Sequence, residues 1–117
     1  MPYLFEQLIS NQQKDAMFII IKFFADLSSN EKDIFSLFLL NCNILNIYCK
    51  LLKKQLSDIL LKEIFFTFSN LEISKEYKTI NYFFQEHELI KIMISIFNKT
   101  SNHDVLYECS YAIFNLT

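Results

Sequence analysis

The register in which this chain repeats itself constrains its fold more than any other feature. The segments Met1–Ser29, Ile44–Glu72 and Leu89–Thr117 stack in a common register. Asp26, Asn70 and Asn115 occupy equivalent positions, 44 and 45 residues apart, as do Leu27, Leu71 and Leu116. A unit this short cannot bury its own apolar face. Neighbouring units must stack to close a shared core.

Each unit carries two apolar patterns at helical spacing. The earlier pattern includes Ile47, Leu51 and Leu52 in one unit and Ile92, Ile96 and Phe97 in the next. A polar break follows ("SNQQ", "KKQLSD", "NKTSNHD"), and then a longer apolar helix. Ser57 or Asp58 fits as the N-cap of one long helix, and Asn102 or Asp104 as that of the next. Shorter helices, "NEKDIFSLFLL" and "KEYKTINYFFQ", lie between the units. With no glycine and one proline, the chain lacks the residues that punctuate sheets and tight turns. The expected class is therefore all-α. Three helices at a period near 45 residues is the pattern of HEAT and armadillo arrays. The expected architecture is an armadillo-type right-handed superhelical solenoid of about two and two-thirds three-helix repeats. It forms one domain over 1–117, with a partial repeat at 1–28 and full repeats at 29–72 and 73–117. The first unit starts inside a repeat, so Tyr3, Leu4 and Leu8 are expected to lie uncovered and to favour self-association of a fragment.

Several function classes are excluded. A net charge of −2 gives no basic stripe for nucleic acid. Three cysteines (Cys42, Cys49 and Cys109) make an odd count, which fits reduced thiols in helix cores and a cytosolic or nuclear setting. Cys42, Cys49, His87 and His103 have the wrong spacing for a zinc site. No glycine-rich phosphate loop and no nucleophile–base pair stand out, so neither an enzyme nor a cofactor is expected. The uncharged run Ile34–Cys49 is 16 residues long and interrupted by three asparagines. A membrane span needs about 20 apolar residues, so two short buried helices meeting near Asn41–Asn43 are expected instead. The mixed polar and apolar start shows no signal peptide. Phe65, Phe68 and Phe114, with Cys109 and Met93, are expected in the core.

Two polar–aromatic pairs are the candidate site. Phe66 and Asn70, then Tyr111 and Asn115, are four residues apart and share a helical face. A carboxamide both donates and accepts hydrogen bonds, as the backbone of an extended peptide without a sheet partner requires. The aromatic faces can hold a lysine or arginine stem, at about 0.5–2 kcal/mol per contact. Glu63 and Glu108 each precede the aromatic by three residues and can meet a cationic head group. In the first unit Lys22 and Asp26 stand at the same two positions. A cation there repels a basic peptide and ends the site; equally, Asp26 can be a surface acid paired with Lys22.

These residues resemble those of importin-α (karyopherin-α), the armadillo-repeat family that reads nuclear localisation signals. "KEIFFTFSNL" is similar to the family's third-helix pattern Lys-Glu-Ala-Cys-Trp-Thr-Leu-Ser-Asn-Ile, with Phe66 at the tryptophan. "YECSYAIFNLT" resembles Lys-Glu-Ala-Ala-Trp-Ala-Ile-Thr-Asn-Ala-Thr, with Tyr111 there, and "MPYLFEQLI" resembles Ile-Pro-x-Leu-x-x-Leu-Leu. The order Lys22, Phe66, Tyr111 looks like the family's sixth to eighth repeats, which form its minor signal-binding site. The resemblance implies an adaptor for basic localisation peptides in nuclear protein import, present in cytoplasm and nucleus. Peptide-binding residues would be Glu63, Phe66, Asn70, Glu108, Tyr111 and Asn115. Importin-β would bind through regions outside this chain. Departures are Phe and Tyr for Trp, which weaken cation binding, and Asn43 and Glu88 where the family has glycine. Asn46 and Lys91 also replace its second-helix proline. A generic armadillo or HEAT scaffold that docks another protein, without signal binding, is the alternative.

Overall fold

A computed structural model describes residues 14–29, 33–74 and 77–116, so Pro2, Tyr3, Leu4 and Leu8 lie outside the described residues. Seven α-helices account for most of them: α1 (Lys14–Ser28), α2 (Asp33–Asn41), α3 (Ile44–Leu52), α4 (Asp58–Glu72), α5 (Tyr77–Glu86), α6 (Leu89–Lys99) and α7 (His103–Leu116). The fold is all-α, with no strand among the described residues. Helices α2, α3 and α4 repeat as α5, α6 and α7, and α1 matches α4 and α7 in sequence register.

The boundaries follow local chemistry. The uncharged run breaks after Asn41, where Cys42 and Asn43 turn the chain into α3. Asn43 adopts the left-handed conformation (φ 63°, ψ 33°), and Glu88 does the same between α5 and α6 (φ 53°, ψ 35°). In both turns the preceding residue's N–H returns to the carbonyl four positions back: Cys42 to Phe38 at 3.0 Å, and His87 to Phe83 at 3.0 Å. This closure normally takes glycine, and asparagine is the common substitute. Glutamate has no such tolerance, and the conformation costs it about 1 kcal/mol or more. Ser57 caps α4 by accepting from the N–H of Leu60 at 3.4 Å. Asn102 caps α7 by accepting at Oδ1 from the N–H of Val105 at 3.1 Å. Asp58 and Asp104 therefore sit in the first turns, where a negative charge faces the positive helix end.

The three long helices stack, with α4 between α1 and α7. Small side chains permit their approach: Ala25, Thr67, Ser69, Cys109 and Ala112 are all buried. The hydroxyls stay satisfied because Thr67 donates to the Glu63 carbonyl at 2.9 Å and Ser69 to the Phe65 carbonyl at 3.0 Å. Phe68 is the hub of the core. Its ring meets Phe84 edge-on at 5.0 Å and lies 6.0 Å from Tyr48, so it joins α4 to both neighbouring short-helix layers. Phe65, Phe68, Met93 and Cys109 are fully buried, as their spacing predicts.

Phe114 lies outside the core in which its spacing placed it. It is 72% exposed, although its sequence neighbours are apolar. Its equivalent in the middle unit, Ser69, is buried and accepts a hydrogen bond from α7. Among the described residues no helix is long and apolar enough to cross a membrane.

Candidate peptide-binding face

The packing of α1, α4 and α7 brings the six candidate residues onto two adjacent helices. Phe66, Asn70, Glu108 and Asn115 are partly buried, Tyr111 is 46% exposed, and Glu63 is buried. Each asparagine is held from the helix before it. Nδ2 of Asn70 donates to Oγ of Ser28 at 3.2 Å, and Nδ2 of Asn115 donates to the carbonyl of Ser69 at 3.5 Å. Ser28 Oγ in turn donates to the Ala25 carbonyl at 2.7 Å, which orients its lone pairs toward Asn70. One donor of each carboxamide is thus committed to the fold. The Oδ1 acceptors have no protein partner among the described residues.

Lys22 is held by acids of its own chain. Its ammonium lies 3.4 Å from Asp26 Oδ1 and 3.6 Å from Glu63 Oε1. Glu63 raises the lysine pKa, burial opposes this, and Asp26 adds to the rise. The lysine is neutralised within the chain, and it already fills the cation position beside Glu63. The two readings left open for Asp26 resolve in favour of the ion pair.

Glu108 is in a different state. Partial burial raises its carboxyl pKa, Lys62 opposes this, and Glu63 and Asp104 add to it. No ion pair to Glu108 occurs among the described residues. An incoming ammonium would offset, by charge attraction, the desolvation that raises the pKa. The face carries four acids (Asp26, Glu63, Asp104, Glu108) against two lysines (Lys22, Lys62), which leaves it net acidic.

One aromatic was missed from the sequence. Tyr107 is 66% exposed, and its ring is parallel to that of Tyr111, with centroids 6.4 Å apart and planes 4° from each other. The signal was present: Tyr107 precedes Tyr111 by four residues, the same spacing that links Tyr111 to Asn115. The three side chains form a row along α7.

Cys42 and Cys49 are buried in the core and Cys109 donates its thiol to the Met93 carbonyl at 3.4 Å. Comparison with protein-family models, with curated proteins and with solved structures returned no match.

Proposed function

We propose that the chain is an armadillo-type repeat unit of the importin-α kind, and that it holds a basic, extended peptide across α4 and α7. The observation that carries this reading is the pair Asn70 and Asn115. They stand on adjacent stacked helices, each tethered through Nδ2 to the preceding long helix with Oδ1 left to accept. Packed helices lie about 8–10 Å apart. An extended peptide advances about 3.3 Å per residue, so the two carboxamides would meet its backbone roughly three residues apart. Side chains between those contacts would fall toward Phe66, Tyr107 and Tyr111. A lysine placed there would find ring faces and the unpaired Glu108 carboxylate. Glu63 contributes less, because Lys22 already neutralises it. A protein using this face as an adaptor in nuclear import would act in both cytoplasm and nucleus, and contacts to importin-β would come from outside this chain.

The test is fluorescence anisotropy with a labelled Lys/Arg-rich localisation peptide and an alanine-substituted control. It is run on the wild type and on Asn70→Ala/Asn115→Ala at low and physiological salt. The reading expects binding that survives physiological salt and weakens about tenfold or more in the double variant, since each lost backbone contact is worth about 1 kcal/mol. Equal binding by variant and wild type, or no binding by either, rules it out. Circular dichroism checks that the variant folds.

A second reading, a helical-repeat scaffold that docks another helical unit, is favoured by a separate observation. Cys49, Leu52 and Ser69 of the middle unit are buried, whereas their equivalents Ile94, Phe97 and Phe114 are exposed. That side of the last unit therefore presents apolar side chains where the middle unit buries its own. Sedimentation velocity of the wild type against Phe114→Glu discriminates: a scaffold of this kind self-associates or binds a repeat partner only when Phe114 is intact.

A further inference from the structure

A concavity lies on other elements than the peptide face. It is a groove of about 760 Å³ between the loop that links α3 to α4 and the length of α6. Leu52, Leu56 and Leu61 form its floor with Ile92 and Ile96 of α6. Four lysines line it: Lys53 and Lys54 from the loop, Lys91 and Lys99 from the two ends of α6. They are four of the eleven lysines in a chain whose net charge is −2, and Asp58 is the one acid among the lining residues. Among the described residues Lys53, Lys54 and Lys99 have no carboxylate partner. Lys91 pairs with Glu88 at 3.3 Å, but both side chains are mostly exposed, so the pair is weak and exchangeable. Like charges gathered over this floor repel one another, and its partly exposed Leu56, Ile92 and Ile96 leave hydrocarbon wet. A ligand that carries several negative charges around an apolar stripe relieves both.

We infer that this groove docks a short acidic amphipathic helix of a partner protein. Its apolar side chains would lie on Ile92, Ile96 and the leucine floor, and its carboxylates would meet the lysines on both walls. The charge layout chooses this ligand over others. Lys91 and Lys99 are eight residues apart on α6, or about 12 Å along the helix axis. With Lys53 and Lys54 opposite, the positive charge is spread along both walls. A fatty acid or phospholipid concentrates its charge at one end and would leave most of these lysines unmatched. Single-stranded nucleic acid binds through aromatic platforms, and no aromatic lines the groove. The volume lies within the ordinary range for ligand sites, about 300–1,000 Å³, and suits the apolar side chains of one helical face. Recognition of this kind reads side chains at helical spacing, with the flanking charges adding rate and register.

The test uses the full chain and a labelled peptide of about 14 residues, leucines at helical spacing with glutamates on either side. Its controls are a scramble of identical composition, poly-glutamate, and anionic phosphatidylserine vesicles. Anisotropy is measured at about 25 and 150 mM salt. The amphipathic peptide should bind about tenfold tighter than the scramble, and Lys91→Gln/Lys99→Gln should weaken it about tenfold with helix content unchanged. Lys53→Gln/Lys54→Gln, on the opposite wall, repeats the loss should the first pair disturb α6. Either variant should keep whatever affinity the wild type has for the basic peptide, so this outcome is separable from that of the peptide face. The inference is overturned by equal binding of scramble or poly-glutamate, by unchanged binding in both lysine variants, by capture of vesicles without the peptide, or by no binding.

Discussion

Glu72 sets the stability of this protein against pH. It is the last residue of α4, only 5% exposed, and neither carboxylate oxygen has a hydrogen-bond partner among the described residues. Burial alone pushes its carboxyl up from an ordinary 4.5 to about 9. At neutral pH the unfolded chain carries this group ionised and the folded chain carries it protonated. The folded-state pKa is raised, so its contribution to stability is fully present below pH 4.5 and is lost as pH rises toward 9. At pH 7 folding must take up a proton across about 2.5 pH units, and each unit is worth about 1.4 kcal/mol, so the penalty is about 3 kcal/mol. That is a large share of the roughly 5–15 kcal/mol of a typical domain.

Glu72→Gln keeps the shape and removes the titration. A buried protonated carboxyl and a buried amide both leave polar atoms unmatched, so the two proteins should be nearly equal in stability near pH 5. By pH 8 the variant should be the more stable by about 3–4 kcal/mol, the gap widening by about 1.4 kcal/mol per pH unit. Urea unfolding at half-unit intervals from pH 5 to 8.5 measures this directly. A gap that stays constant with pH, or a wild type that gains on the variant as pH rises, would refute the argument that Glu72 is buried neutral.

Three further outcomes are expected. Lys22→Ala strands the buried Glu63 carboxylate and should destabilise by about 1–2 kcal/mol in urea unfolding, less than a fully buried pair because Lys22 is half exposed. The same variant frees Glu63 for an external lysine, so anisotropy should show tighter binding of the basic peptide. Glu88→Gly relieves the left-handed strain and, after the added freedom of the unfolded chain, should stabilise by about 0.5–1 kcal/mol, raising Tm. Cys109 is buried, with its thiol pushed up to about 12. It should therefore react with a thiol reagent only at the rate of unfolding, as stopped-flow absorbance with and without urea would show.

Much of the helical frame can be read from periodicity and caps. The break at Asn41–Asn43, the burial of Phe65 and Phe68, and the capping by Ser57 and Asn102 are local facts, set by residues within one turn of each other. The left-handed turns at Asn43 and Glu88 were legible only through comparison with a glycine position, because nothing in "HEL" by itself announces a positive φ. Tyr107 stands at the same four-residue spacing, but its equivalents Phe18 and Lys62 do not repeat a tyrosine there, so the repeat alone does not mark it.

What could not be read depends on contacts between units. Lys22 and Glu63 are 41 residues apart, and only the stacking of α1 on α4 brings the ammonium to the carboxylate. The exposure of Phe114 turns on whether anything covers the outer side of α7, which no pattern within α7 encodes. Glu72 is harder still, since a glutamate at a helix end followed by "ISKEY" has every local mark of a solvated residue. These three share one cause: in a stacked array the same residue position is core, site or surface according to its neighbour unit. Lys22 shows the functional consequence. By satisfying Glu63 from within, it leaves the free acid of the face on α7, so a bound peptide's strongest cation contact should shift from the Phe66 position to the Tyr111 position. Glu108→Gln should therefore weaken basic-peptide binding more than Glu63→Gln does, and in a Lys22→Ala background the two losses should become equal.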